Sequence, residues 1–143
     1  ESVPTMPLGK SLQVREGTDG TIIGTGLGTQ LATGAADLLR KEGLEIRVID
    51  AYSLKPLDEE AIVDAAQNTG AILTVEEHLV TGGLGTAVAE VIARNAIATK
   101  LEIHGLPDTT LTVGMPEQLY KHCGLTVEAT AQRMKNLLKK AIS

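Results

Sequence analysis

Two short runs of this chain hold residue types suited to chemistry. Glu76-Glu77-His78 follows an apolar run, Ala71 to Val75, and precedes Gly82-Gly83-Leu84-Gly85. Carboxylates and an imidazole move protons, and a glycine-rich helix start exposes amide N–H groups that hold an anion. Ligands gather at the C-terminal ends of strands in open α/β sheets. Against this, adjacent carboxylates on a continuing strand point to opposite faces and cannot act as one acid/base pair. His78 has no partner fixed by the sequence. The pattern favours a polar strand end, hydrogen-bonded across a domain or subunit boundary, over a catalytic centre. Glu76, Glu77, His78, Gly82, Gly83 and Gly85 are therefore the candidate interface or ligand edge.

The second run is Thr21-Ile22-Ile23-Gly24-Thr25-Gly26-Leu27-Gly28, which ends one strand and opens a helix, with Asp50 at the end of the next strand. This resembles a dinucleotide fingerprint. That fingerprint needs G-x-G-x-x-G, and counting from Gly24 or Gly26 the third position is Thr29 or Leu31. The glycine that permits close helix–strand packing is missing in either register. A plain strand-to-helix turn, in which glycine supplies a positive φ, accounts for the residues. A free-standing nucleotide or anion-binding module built on Gly24 to Gly28 and Asp50 is the alternative from another functional class.

Other sites are weaker. His78, His104 and His122 lie far apart, and neither His-x3-His nor Cys-x2-Cys spacing occurs, so no metal ligand set is expected. Cys123 is a lone cysteine near a helix end, which reads as a small core residue rather than a reactive thiol.

The elements that position these groups alternate in type. Ser11 to Glu16 reads as a short strand, Thr21 to Thr25 as a second, Ile46 to Asp50 as a third, Ala71 to Val75 as a fourth and Leu101 to His104 as the last. Between them, helical spacing carries Leu31, Ala35, Leu38 and Leu39 up to a stop at Gly43. It also carries Ile62, Ala65 and Ala66 after Pro56-Leu57-Asp58-Glu59-Glu60, and Leu84, Val88, Val91 and Ile92 after the glycines. A short helix near Pro116 to His122 and a closing helix with the stripe Val127, Ala131, Met134, Leu138 and Ala141 complete the chain. Strands alternating with helices imply right-handed βαβ units. The expected fold is an α/β/α sandwich of three layers around a five-stranded mixed, mostly parallel sheet. The first strand, joined to the second by the tight EGTDG turn, is antiparallel and at or near an edge if the two pair directly.

Composition narrows the function classes. Among 143 residues the net charge is -5, and the basic residues are scattered, which argues against nucleic acid as a partner. No apolar run approaches the roughly 20 residues that cross a bilayer, and a single cysteine cannot form an internal disulfide. A cytoplasmic location is expected, with no membrane partner. With no Phe, no Trp and two Tyr, the chain has little with which to stack a flat ring. The opening ESVPTMPLGK is polar and broken by proline, so residues 1–10 read as an inter-domain connector and 11–143 as one domain.

Several segments together resemble one family: PLGKSLQVREGTDGTIIGTG, EIRVIDAYSLKPLDEEAI, TVEEHLVTGGLGTAVAEV, GLPD and GLTVEATAQRMKNLL. They are similar, in this order and over nearly the whole chain, to the C-terminal domain of transketolase-like thiamine diphosphate-dependent enzymes. These comprise transketolase, 1-deoxyxylulose-5-phosphate synthase and the 2-oxoacid dehydrogenase β subunits. Glu-Glu-His before Gly-Gly-Leu-Gly looks closer to the first two, and the short, split transketolases are the preferred subgroup. The resemblance implies a parent enzyme that uses thiamine diphosphate and a divalent metal (Mg) to transfer a ketol unit between sugar phosphates. It implies that this domain holds no catalytic, cofactor or metal residue.

The family's cofactor motif begins Gly-Asp-Gly and closes on Asn-Asn. Here Thr18-Asp19-Gly20 stands instead, and Asn68, Asn95 and Asn136 are never adjacent. The implied partners are the pyrimidine-binding and diphosphate-binding domains of the same enzyme, on this or a separate chain, in a homo-oligomer. The C-terminal domain of deoxyxylulose-phosphate synthase or of an oxoacid dehydrogenase β subunit is the alternative.

Overall fold

The computed structural model describes residues 5–110 and 113–140. Along the chain run β1 (Leu12–Arg15), β2 (Gly20–Gly24), α1 (Leu27–Arg40), β3 (Ile46–Asp50) and α2 (Glu59–Asn68). They are followed by β4 (Ile72–Leu79), α3 (Leu84–Arg94), β5 (Leu101–Leu106), α4 (Pro116–His122) and α5 (Val127–Lys139). Local chemistry explains most boundaries. Asp58 caps α2 by accepting from the Ala61 amide at 3.3 Å, with Glu59 and Glu60 in the first turn meeting the positive end of the dipole. Thr126 caps α5 by accepting from Ala129 at 3.2 Å, and Pro116 opens α4. The chain leaves α1 through Gly43, whose φ of 82° suits glycine.

The sheet has the order β1-β3-β2-β4-β5, with β1 antiparallel to β3 and the remaining neighbours parallel. Helices cover both faces. On one, Ile22, Val48, Leu73 and Val75 meet Ala32, Ala35 and Leu39 of α1 and Met134 and Leu137 of α5. On the other, Ile23, Ile49 and Ile72 meet Ile62 and Ala65 of α2 and Leu84, Val88 and Val91 of α3. Each fully buried Ile or Leu contributes roughly 1.5–3 kcal/mol relative to exposure. The sandwich with a mixed, mostly parallel sheet is thus the fold expected from the alternation of elements.

Three details differ from the sequence reading. First, β1 lies antiparallel at the edge but pairs with β3, not β2. The turn before β2 does not close a hairpin; the Thr18 and Asp19 amides both donate to the Glu45 carbonyl at 3.0 Å. Gly17 makes this possible, because a Cβ there would lie 2.2 Å from the Arg47 amide nitrogen. The chain crosses the start of β3 and reaches its far side.

Second, β4 and β5 continue past the apolar runs to Leu79 and Leu106. Third, the buried face of α5 is Thr130, Ala131, Met134 and Leu137, with Val127 and Leu138 half-buried. This face is set by tertiary packing: Met134 fits over Gly20, where a Cβ would come within 1.9 Å of its methyl carbon. Ala141 of the expected stripe lies outside the described residues.

Candidate functional site

The extension of β4 decides the geometry of the carboxylate pair. Glu76 is 2% exposed, while Glu77 and His78 are exposed. Alternation along the strand thus separates the two acids, as expected. Glu76 Oε2 accepts from the Leu84 amide at 2.7 Å and Oε1 from the Gly85 amide at 2.9 Å. These donors belong to the first turn of α3, whose own N-terminal residue, Gly83, has no side chain to cap it. A carboxylate placed against the positive end of the helix dipole is stabilising twice over, by hydrogen bond and by field.

Glycine shapes this seat. A Cβ at Gly83 would fall 2.1 Å from Glu76 Oε2, and one at Gly105 of β5 would lie 2.6 Å from the His78 carbonyl oxygen and 3.4 Å from Glu76 Cγ. Gly82 takes a φ of 80°, and its amide donates to Thr86 Oγ1 at 2.9 Å.

Within this domain Glu76 is bonded to the start of the following helix, α3. The reason is burial: a carboxylate away from water must meet donors, and the α3 amides are at hand. Glu77 and His78 remain at the surface. The Tyr120 hydroxyl donates to Glu77 Oε1, and this bond holds the Tyr120 pKa above its ordinary value. His78 Nδ1 donates to the Leu79 carbonyl at 2.8 Å. The sequence pattern singles out neither Tyr120 nor Gly105. A glycine inside a strand is the available sign of close approach for Gly105. Tyr120 carries none, since its pairing with Glu77 is long-range.

The Gly24–Gly28 turn is closed by backbone contact. A Cβ at Gly28 would lie 2.0 Å from the Val75 carbonyl oxygen, and one at Gly24 would lie 2.5 Å from the Thr29 amide nitrogen. The close-packing glycine that the fingerprint spacing lacks is therefore present, as Gly28. Gly26 supplies the positive φ, at 56°. Asp50, the residue suited to a ribose, accepts from Thr29 Oγ1 at 2.9 Å. Thr29 thus takes one Asp50 oxygen, while Gly24 and Gly28 lie against backbone.

His104 is 2% exposed and donates from Nε2 to the Gly124 carbonyl at 3.1 Å. Burial lowers its pKa to about 4, and Arg133 adds to the shift, against the pull of the Gly124 bond and Glu102. Cys123 is half-buried. Among the described residues no group of three or more His, Cys, Asp or Glu is placed to hold a metal ion.

Residues 9–129 match the family model of the transketolase C-terminal domain. The chain belongs to the transketolase C-terminal domain family. Its relatives within that family carry different activities in their names. The chain is 38% identical to a 1-deoxy-D-xylulose-5-phosphate synthase of Syntrophotalea carbinolica, over 96% of this chain and 22% of that protein. It is 40% identical to one of the subunits of the apulose-4-phosphate transketolase of Phocaeicola vulgatus, over 93% of this chain and 42% of that polypeptide. A solved structure described as a split gene transketolase, inactive beta4 tetramer, superposes with a TM-score of 0.87 at 38% identity, covering 93% of this chain and 43% of that one. This transketolase C-terminal domain thus spans less than half the length of these relatives.

Proposed function

We propose that this domain lends docking surface to a thiamine diphosphate-dependent enzyme that transfers a ketol unit between sugar phosphates, and that it binds neither cofactor nor metal itself. The observation that carries the reading is the state of the strand ends, where a ligand of an open α/β sheet would sit. Glu76 occupies the α3 amides, Gly28 packs against Val75, and Asp50 is held by Thr29. A diphosphate with its metal needs free amides and a cluster of oxygen donors. That no group of three or more His, Cys, Asp or Glu among the described residues is placed to hold a metal supports the reading.

What faces outward is Glu77, His78 and Leu79, a polar and apolar mixture suited to meeting another protein surface. The partners in this reading are the pyrimidine-binding and diphosphate-binding domains, on the same or a separate polypeptide, in a homo-oligomer. Among the described residues no helix is long and apolar enough to cross a membrane, and we place the enzyme in the cytoplasm.

Titration calorimetry of the chain with thiamine diphosphate and Mg is expected to give no binding heat. Its addition to the complementary polypeptide is expected to restore ketose phosphate turnover. Stoichiometric cofactor binding by the chain alone overturns the proposal. Thermal shift with NAD, ATP and phosphate tests the nucleotide or anion alternative, since a ligand of the folded state raises Tm. Assaying the parent enzyme for ketol transfer against deoxyxylulose phosphate formation decides between the two activities that its relatives' names suggest.

A further inference from the structure

Glu76 is conspicuous because it is a buried carboxylate bonded, among the described residues, to backbone amides alone. It is 2% exposed, both oxygens are taken by the Leu84 and Gly85 amides, and among the described residues no cationic side chain bonds to it. Two glycines from different elements, Gly83 and Gly105, leave room for it where a side chain would collide or crowd. The chain between Glu76 and these amides is short; past Leu79 the Val80 amide donates to the Leu106 carbonyl at 2.9 Å and the Gly83 carbonyl accepts from the Ala87 amide at 3.1 Å. Its conformation is fixed at the outer end by Gly82 and Thr86 and at the inner end by Glu76.

We propose that Glu76 is a positioning residue, a built-in anion that clasps the first turn of α3 and thereby sets the shape of the exposed Glu77–Gly82 segment that a partner domain meets. The docking half of this inference rests on the reading given above; the clasp itself does not. The clasp uses charge as well as shape. Glu76→Gln would keep one accepting oxygen but turn an N–H₂ toward a second amide donor, and Glu76→Ala would leave two buried amides without an acceptor.

Amide hydrogen exchange on the full chain tests the clasp. In E76A and E76Q the Leu84 and Gly85 amides are expected to exchange about 10- to 100-fold faster than in the wild type. Amides of β2 and β3 should be unchanged. Acetate should restore protection in E76A, where its carboxylate fills the vacated space, but not in E76Q, where the side chain still occupies it; chloride should do neither. If E76A folds only with acetate, the clasp is supported. If E76A does not fold under either condition, E76Q decides. Unchanged exchange in E76Q, or equal rescue by acetate and chloride, overturns the proposal.

The docking half is read separately, as the dissociation of the assembled parent enzyme by sedimentation. E76Q is expected to dissociate at about 10-fold higher concentration than the wild type. Altered exchange with unchanged assembly would refute docking through this segment and leave the clasp standing.

Discussion

The turns into α1 and α3 share a buried strand before them, a run of glycines and an N-terminal residue with no capping side chain, yet they are closed by different means. At α1 the closure is steric: Gly28 sits so near the Val75 carbonyl that no side chain fits between. At α3 it is electrostatic, with Glu76 reaching up from β4 to take the free amides. Glycine in the first place admits a neighbouring backbone, and in the second it admits a charged side chain. Both arrangements leave a glycine-rich turn that looks, on paper, like a cradle for phosphate.

Substitutions separate the two closures. Gly28→Ala should be the most damaging, at about 3 kcal/mol in a urea unfolding series, because the obstacle is main chain and cannot move aside. A loss below about 1 kcal/mol would show that α1 shifts freely and would undo the steric half of the contrast.

The next effect is acid-dependent and tests whether either turn governs stability against pH. His104 has an ordinary value of 6.5 and a folded value of about 4. Above pH 6.5 it is neutral in both states and stability is full. As pH falls from 6.5 to 4, the unfolded chain takes up the proton first, so stability declines, by at most about 1.4 kcal/mol per pH unit, and levels off below 4. His104→Asn should flatten this slope. A slope that survives the substitution would place the acid sensitivity elsewhere, one of the turns included.

Gly83→Ala should cost about 2 kcal/mol, less than Gly28→Ala, since the new methyl meets the end of the Glu76 side chain, which can swing away at the expense of its two bonds. Equal losses at Gly28 and Gly83 in the same urea series would erase the distinction. Gly26→Ala should cost least, about 1 kcal/mol, because nothing lies within 4 Å and only the φ of 56° resists. Far-ultraviolet melting curves suffice to rank it.

The contrast also explains what could be read from the residues. The third strand, Ile46–Asp50, and the fourth helix, Pro116–His122, were legible because β-branched residues between turn formers and a proline at a helix start are local signals. The partner of β1 was not, because it depends on Gly17 clearing Arg47, a contact between separate elements.

At the candidate edge, alternation predicted that Glu76 and Glu77 would part, but not which would turn inward. The reason lies in β4, where Ile72 to Val75 are buried on both faces, so the apolar residues mark no inner side. The inward choice follows from Gly83 and Gly105, whose relevance appears only once α3 and β5 are in place.

A last consequence concerns mechanical load. The segment ahead of β1 is not loosely attached: Tyr52 bonds the Pro7 carbonyl at 3.1 Å, the Gly9 amide bonds Ser53 at 3.1 Å, and the Ser11 amide and hydroxyl each reach Asp58 at 2.8 Å. Asp58 is also the cap of α2, and although burial opposes its charge, the Ser11 and Ala61 bonds hold its pKa below the usual carboxylate range. A pull applied ahead of Pro7 is therefore borne at the start of α2. Glu59 in the first turn of that helix pairs with Arg94 at 2.8 Å, so the load passes on to the C-terminal end of α3, the end away from Glu77 and His78.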